Sequence, residues 1–207
     1  MENLELVIPG LIGDIEAMYH PVANSRTLAI ICHPHPLYDG SMDNKVITMM
    51  TRSFHKLDIS VIRFNYRGVG GSYGSYGSVY GEVEDAQAVM EYAKVELGFD
   101  KFICAGFSFG AYVAAELCVH HQANACALLT VAPSVERMPY AKLAKITVPW
   151  LVIMGEEDEV VSPQAVYAWY DTLAADKKLI KIPKAKHFFH GKLIELEAIL
   201  LKHYKNL

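Results

Sequence analysis

The sequence predicts an α/β fold, a three-layer α/β/α sandwich built on a mainly parallel sheet. Two observations predict it. The runs 27–32, 59–64, 101–105, 123–131 and 148–154 are strand-length and nearly continuous in apolar residues, which suits strands buried on both faces rather than on one. Between most of them lie segments whose apolar residues recur at i, i+3 and i+4, the helical period. Strands alternating with crossover helices imply a parallel sheet covered on both sides. At 207 residues, with no Pro/Ser-rich or charged linker, the chain reads as one domain over 1–207.

Taken in order, residues 4–8 and 14–19 read as two short strands joined by a turn at Pro9-Gly10, a hairpin at a sheet edge. Thr27–Cys32 is the first buried strand, and it ends in His33-Pro34-His35-Pro36-Leu37-Tyr38-Asp39-Gly40, where two prolines forbid regular structure. A helix over 44–57 places Val46, Ile47, Met50 and Phe54 on one face, and Ile59–Phe64 is the next strand. The following Asn65–Ser72 segment and the Gly/Ser/Tyr-rich stretch to Gly81 contain neither a P-loop nor a dinucleotide-binding glycine pattern. The helix over 82–97 buries Val83, Ala86, Val89, Met90 and Ala93. Strand 101–105 leads into a helix over 111–117, strand 123–131 into a connection over 134–146, and Val148–Met154 is a further strand. Pro163–Ala174 is predicted as a helix with Pro163 in its first turn; Leu179–Ile182 is the last strand and Lys192–Tyr204 the closing helix.

Composition removes several classes of function. Apolar residues make up 52% and charged residues 20%, with a net charge of -4, so there is no basic stripe of the kind a nucleic-acid surface requires. No apolar run approaches the roughly 18–20 residues of a membrane span. Early acids and the lack of a basic n-region give no signal-peptide pattern. Cys32, Cys104, Cys118 and Cys126 lie in apolar segments without C-x-x-C spacing, so free buried thiols and a cytoplasmic location are expected. His33 and His35 alone lack the further ligands that a metal needs, and no cofactor is implied. Monomer and homodimer are both compatible with the surface helices.

The chemistry concentrates at Gly106-Phe107-Ser108-Phe109-Gly110, between a buried strand and a helix-like run. A G-x-S-x-G there has the setting of a nucleophile elbow, in which a strained turn lifts the serine hydroxyl clear of the sheet. A serine nucleophile needs a base, and the base needs an orienting group. Asp158 leaves the strand 148–154 in an acidic loop and is the best candidate for the orienting carboxylate, with Glu156, Glu157 and Glu159 as competitors. His187 follows the last strand and is the candidate base, with His190 as its rival; His20, His55, His120, His121 and His203 fall on strands or helix surfaces. Two backbone N–H donors should stabilise the developing oxyanion, each worth roughly 3 kcal/mol of barrier. Phe109 supplies one. Pro34 and Pro36 have no N–H, so the second is His35 or, failing that, Leu37. The side chains of Tyr38, Phe107, Phe109 and Phe188 are candidates for the wall of an apolar acyl pocket.

Ile31-Cys32-His33-Pro34, Gly40–Lys45, Phe64–Ser72, Gly106–Gly110, Gly155–Val161 and His187–Gly191 together resemble the α/β-hydrolase superfamily over nearly the whole chain. Within it they are similar to the small lidless bacterial serine hydrolases near the dienelactone hydrolases. The resemblance implies Ser108 as nucleophile, His187 as base and Asp158 as acid, in the chain order Ser, Asp, His of that superfamily. It also implies hydrolysis of carboxylic ester or thioester bonds of a small-molecule acyl substrate. The chain departs from dienelactone hydrolase in having a serine where that enzyme has a cysteine nucleophile, so that substrate is not inherited. It departs from many esterases in its His-Pro-His-Pro loop, where they have His-Gly-Gly-Gly. About fifteen residues separate Val131 from the next predicted strand, too few for a cap domain, so an open site is expected. A peptidase, or a non-catalytic protein retaining the fold, are the alternatives.

Overall fold

The computed structural model describes residues 3–143, 146–174 and 176–205. Among these, eight strands form one sheet: β1 (Leu4–Pro9), β2 (Asp14–His20), β3 (Thr27–Cys32), β4 (Ser60–Phe64), β5 (Lys101–Phe107), β6 (Ala125–Val131), β7 (Trp150–Gly155) and β8 (Lys177–Ile182). Their spatial order is β1-β2-β4-β3-β5-β6-β7-β8. β1 and β2 pair antiparallel, and β2 pairs antiparallel with β4. All the other neighbours are parallel.

The helices are α1 (Lys45–His55), α2 (Tyr80–Val95), α3 (Phe109–His120), α4 (Pro163–Thr172) and α5 (Leu193–Tyr204). Strand order fixes the face each one covers. The step from β3 to β4 runs one way along the sheet, whereas β4 to β5, β5 to β6 and β7 to β8 run the other way. Right-handed crossovers then put α1 on one face and α2, α3 and α4 on the opposite one. The packing agrees. α5 lies against α1, with Phe54 and Tyr204 ring centroids 5.4 Å apart. On the other side Tyr112, Tyr140, Trp169 and Trp150 stack edge to face at 5.1, 4.9 and 5.3 Å, joining α3, α4 and β7. The buried Trp150 indole donates to Thr130 Oγ1 at 2.9 Å, so its polar edge carries no desolvation penalty.

Two departures from the predicted elements have clear causes. β8 starts at Lys177 rather than Leu179. It is the outer strand, and its lysines break the apolar signal while giving the exposed edge the charge that discourages pairing with other chains. α3 begins at Phe109, directly after Ser108, and is buried on nearly every side. Such a helix shows no amphipathic period to mark where it begins. Between Val131 and Trp150 the described residues contain one short 3-10 turn, Tyr140–Leu143, and no α-helix or strand, so no cap domain covers the sheet. No described helix is long and apolar enough to cross a membrane.

Candidate active site

Chain direction reverses around β3: the chain leaves it for β4 on one side, and β5 lies on the other. Crevices form at the carboxyl ends of strands where the order reverses. Cys32 and Gly106 are register partners there, so the loop after β3 and the turn after β5 open side by side.

The turn is tight. Ser108 sits at φ 55° and ψ −115°, a region that costs a non-glycine residue about 1–3 kcal/mol. A Cβ on Gly106 would come within 2.0 Å of the Gly110 carbonyl oxygen, and one on Gly110 within 2.2 Å of the Cys32 carbonyl oxygen. Helix α3 therefore approaches both its own strand and β3 at backbone contact distance. The Ser108 amide donates to the Val131 carbonyl at 2.9 Å, and Ser134 Oγ donates to the Ser108 carbonyl at 3.4 Å.

Ser108, His187 and Asp158 meet in one hydrogen-bonded chain. His187 Nδ1 lies 2.8 Å from Asp158 Oδ2, and its Nε2 lies 3.1 Å from Ser108 Oγ. A carboxylate only accepts, so the ring proton is on Nδ1 and Nε2 is left to accept from the serine hydroxyl. The second oxygen of Asp158 accepts the amides of Val160 and Val161 at 2.9 and 2.8 Å. All of its side chain is shielded from water, and that of His187 is 3% exposed. Glu156, Glu157 and Glu159 point to solvent. Glu159 accepts the backbone amide of His187 at 3.3 Å and makes no hydrogen bond to the ring. His190 is exposed, in the turn ahead of α5 rather than in that helix, and stacks on Phe188.

The β3 loop is held by His33. Its Nδ1 donates to the Pro34 carbonyl at 2.7 Å, and its Nε2 accepts the Tyr66 amide at 3.1 Å, so neither nitrogen is left for a metal. Burial pushes its pKa down to about 3 from 6.5. The unfolded chain therefore takes up a proton that the folded chain refuses between about pH 6.5 and 3. Stability should fall by up to about 1.4 kcal/mol per pH unit on acidification through that window. Urea unfolding at stepped pH tests this, and His33→Gln should show a slope shallower by one proton.

The Leu37 amide is engaged within its own turn, donating to His35 Nδ1 at 3.2 Å. Among the described residues the amides of His35 and Phe109 have no backbone acceptor outside the helices and strands, and both residues border the cleft containing Ser108. The His35 ring is packed between Tyr38, Tyr76 and Phe109, at 5.0, 5.0 and 4.7 Å. Its pKa is lowered by burial and by the nearby Arg137 guanidinium.

The cleft measures about 610 Å³. Tyr38 and Phe188 line it, as expected of a pocket wall, and Phe109 joins them. Phe107 does not. As the last residue of β5 it is fully buried, and it supports the far side of His187 at 5.0 Å. His20 lies on a strand, as expected, at the end of β2, where it is 9% exposed with Nδ1 2.7 Å from Asn3 Oδ1. Ser134, Arg137 and Met138, which no motif singles out, reach the cleft from the connection after β6. The signal for them is positional: β6 neighbours β5, so the loop leaving its carboxyl end must border the elbow. Among the described residues no three metal-ligating side chains come together.

A family model described as serine aminopeptidase, S33 matches residues 44–144, a span that includes Ser108 and stops short of Asp158 and His187. The uncharacterised protein RP471 of Rickettsia prowazekii is 31% identical over 198 residues, covering 91% of this chain and 83% of that protein. An α/β serine hydrolase homologue from Coxiella burnetii superposes with a TM-score of 0.92 at 38% identity, over 98% of this chain and 97% of the other. XC6422 from Xanthomonas campestris, an α/β serine hydrolase without a lid, gives 0.89 at 39% identity, over 98% and 93%. Agreement at this level of identity, end to end and without a cap, places the chain in the α/β-hydrolase superfamily, to which it belongs.

Proposed function

We propose that the protein is a serine hydrolase that cleaves carboxylic ester or thioester bonds of small acyl substrates through an acyl-enzyme. The observation that carries this reading is the buried Ser108–His187–Asp158 chain of hydrogen bonds, 3.1 and 2.8 Å long. Ser108 Oγ attacks the acyl carbonyl as His187 Nε2 takes its proton, and Asp158 stabilises the imidazolium that forms. The Phe109 and His35 amides receive the oxyanion. Collapse of the intermediate expels the alcohol or thiol, which takes its proton from His187. Water, activated by the same histidine, then releases the acid.

A fluorophosphonate probe tests the assignment directly. It should label the native protein at Ser108 and leave heat-unfolded protein and Ser108→Ala unlabelled. Native protein that stays unlabelled would indicate a non-catalytic fold. Asp158→Asn is a sharper test of the third residue. The Val160 and Val161 amides will keep the amide oxygen of the new side chain, turning its NH₂ toward His187 Nδ1. That forces the ring proton onto Nε2, so kcat should fall by about 10³–10⁴.

The serine aminopeptidase description of the matching family model favours a second reading, amide cleavage at a peptide N-terminus. Aminoacyl p-nitroanilides assayed beside p-nitrophenyl acetate and butyrate separate the two. Faster turnover of the anilides would make the protein a peptidase rather than an esterase.

A further inference from the structure

A second cavity, of about 360 Å³, adjoins the cleft of Ser108, and the two share Arg137 and Met138 as a common wall. Its other boundaries include Val79, Val83, Tyr112 and Pro139. The two carboxylates that face it are already engaged. Glu84 pairs with Arg67 at 3.0 Å, and Glu116 accepts the Tyr112 hydroxyl. What remains on offer is chiefly apolar surface.

The backbone on the rim of this cavity is strained. On its rim Ser78 and Val79 lie at φ 55° and 79°. A β-branched residue in that region is a genuine outlier. The conformation is held by the buried carboxylate of Glu82, which accepts the amides of Gly77 and Val79 at 2.7 and 2.8 Å. Glu82 thereby also closes the capping box at the start of α2, and strained backbone of this kind clusters at active sites and ligand clamps. The same loop sends Tyr76 against His35 and Phe109, at 5.0 and 6.3 Å, and so ties the rim of the second cavity to the proposed oxyanion donors.

We propose that the two cavities form one groove, and that the substrate is an ester or thioester with an extended apolar limb running from the carbonyl at Ser108, past Met138, to the wall formed by Val79, Val83 and Tyr112. This rests on Ser108 being the nucleophile. Medium-chain substrates are therefore preferred to acetates. Each methylene that enters the groove should raise kcat/KM by about fourfold, the effect of burying one CH₂.

Two substrate series test it: p-nitrophenyl esters from acetate to decanoate, which extend the acyl side, and alkyl acetates from methyl to decyl, which extend the alcohol side. One series should climb with chain length and the other stay flat, which identifies the limb. Gln87→Trp, which adds bulk from α2 to the second cavity, should then lower the octanoate-to-butyrate ratio, or its octyl-to-butyl counterpart, by about tenfold or more. Two flat series, or a ratio that Gln87→Trp leaves unchanged, would overturn the proposal. Binding of decanoate or decanol to Ser108→Ala protein by titration calorimetry is independent of turnover. Binding that Gln87→Trp abolishes supports the groove even if Ser108 proves not to be the nucleophile, and absence of binding by both ligands counts against the groove alone.

Discussion

Replacing Ser108 by alanine is expected to reduce hydrolysis of p-nitrophenyl butyrate by about 10⁴-fold or more, with the melting temperature close to that of the wild type. The first half follows from the acyl-enzyme route: without Oγ there is no nucleophile for His187 to activate, and losing one member of such a unit costs nearly as much as losing all of it. The second half follows from what alanine retains. The Cβ and the backbone at φ 55° are unchanged, as are the amide bond to Val131 and the bond from Ser134. Only the 3.1 Å contact with His187 is lost, and Ser108 is 9% exposed, so water can reach the site to replace it. Rates and thermal melts on the same preparations decide the matter. An alanine variant that still turns over ester would rule Ser108 out, and one that melts much lower would leave loss of folding as the explanation for loss of rate.

Substituting Gly110 by alanine is expected to do the opposite, damaging the fold and the activity together. The added methyl would stand 2.2 Å from the Cys32 carbonyl oxygen and 2.4 Å from that of His33. Both are backbone atoms of a central strand end, so no side chain can swing away to relieve the contact. Either α3 must move off the sheet or β3 must bend, and overpacking of this kind costs about 3 kcal/mol or more. The displaced element carries Phe109 at one end, or the His33–His35 loop at the other, so the proposed oxyanion donors would separate. Chemical denaturation and ester kinetics on Gly110→Ala should show both losses. Wild-type stability in that variant would mean that helix and strand are less closely apposed than these distances require.

Much of the candidate site was legible in the chain because its parts are local. Gly106–Gly110 announces a strand-to-helix turn, since only glycine fits where helix and strand backbones touch. Asp158 and His187 stand just beyond apolar runs, and a residue at the carboxyl end of a parallel strand faces the crevice whatever the distant sequence does. Phe107 shows the limit of this reasoning. It adjoins the serine in sequence, yet strand alternation turns its ring away from the cleft and beneath His187. The strand position of His20 was legible, but its partners were not, because they depend on the end of β2 meeting Arg63 of β4 and Asn3.

By itself the sequence determined the class of fold, the parallel core, the strand-to-helix turn at Ser108 and the chain order of Ser108, Asp158 and His187, because hydrophobic period, glycine sterics and strand-end position act within a few residues of one another. Tertiary structure alone decided the rest. It brought His187 Nε2 to 3.1 Å from Ser108 Oγ across 79 positions of chain, and tied the Leu37 amide to the His35 ring at the mouth of the cleft. It also brought Arg137 and Met138 between two cavities. These depend on which strands become neighbours and where separate loops come to rest, and no local period in a sequence encodes a distance between segments that meet only when the sheet has closed.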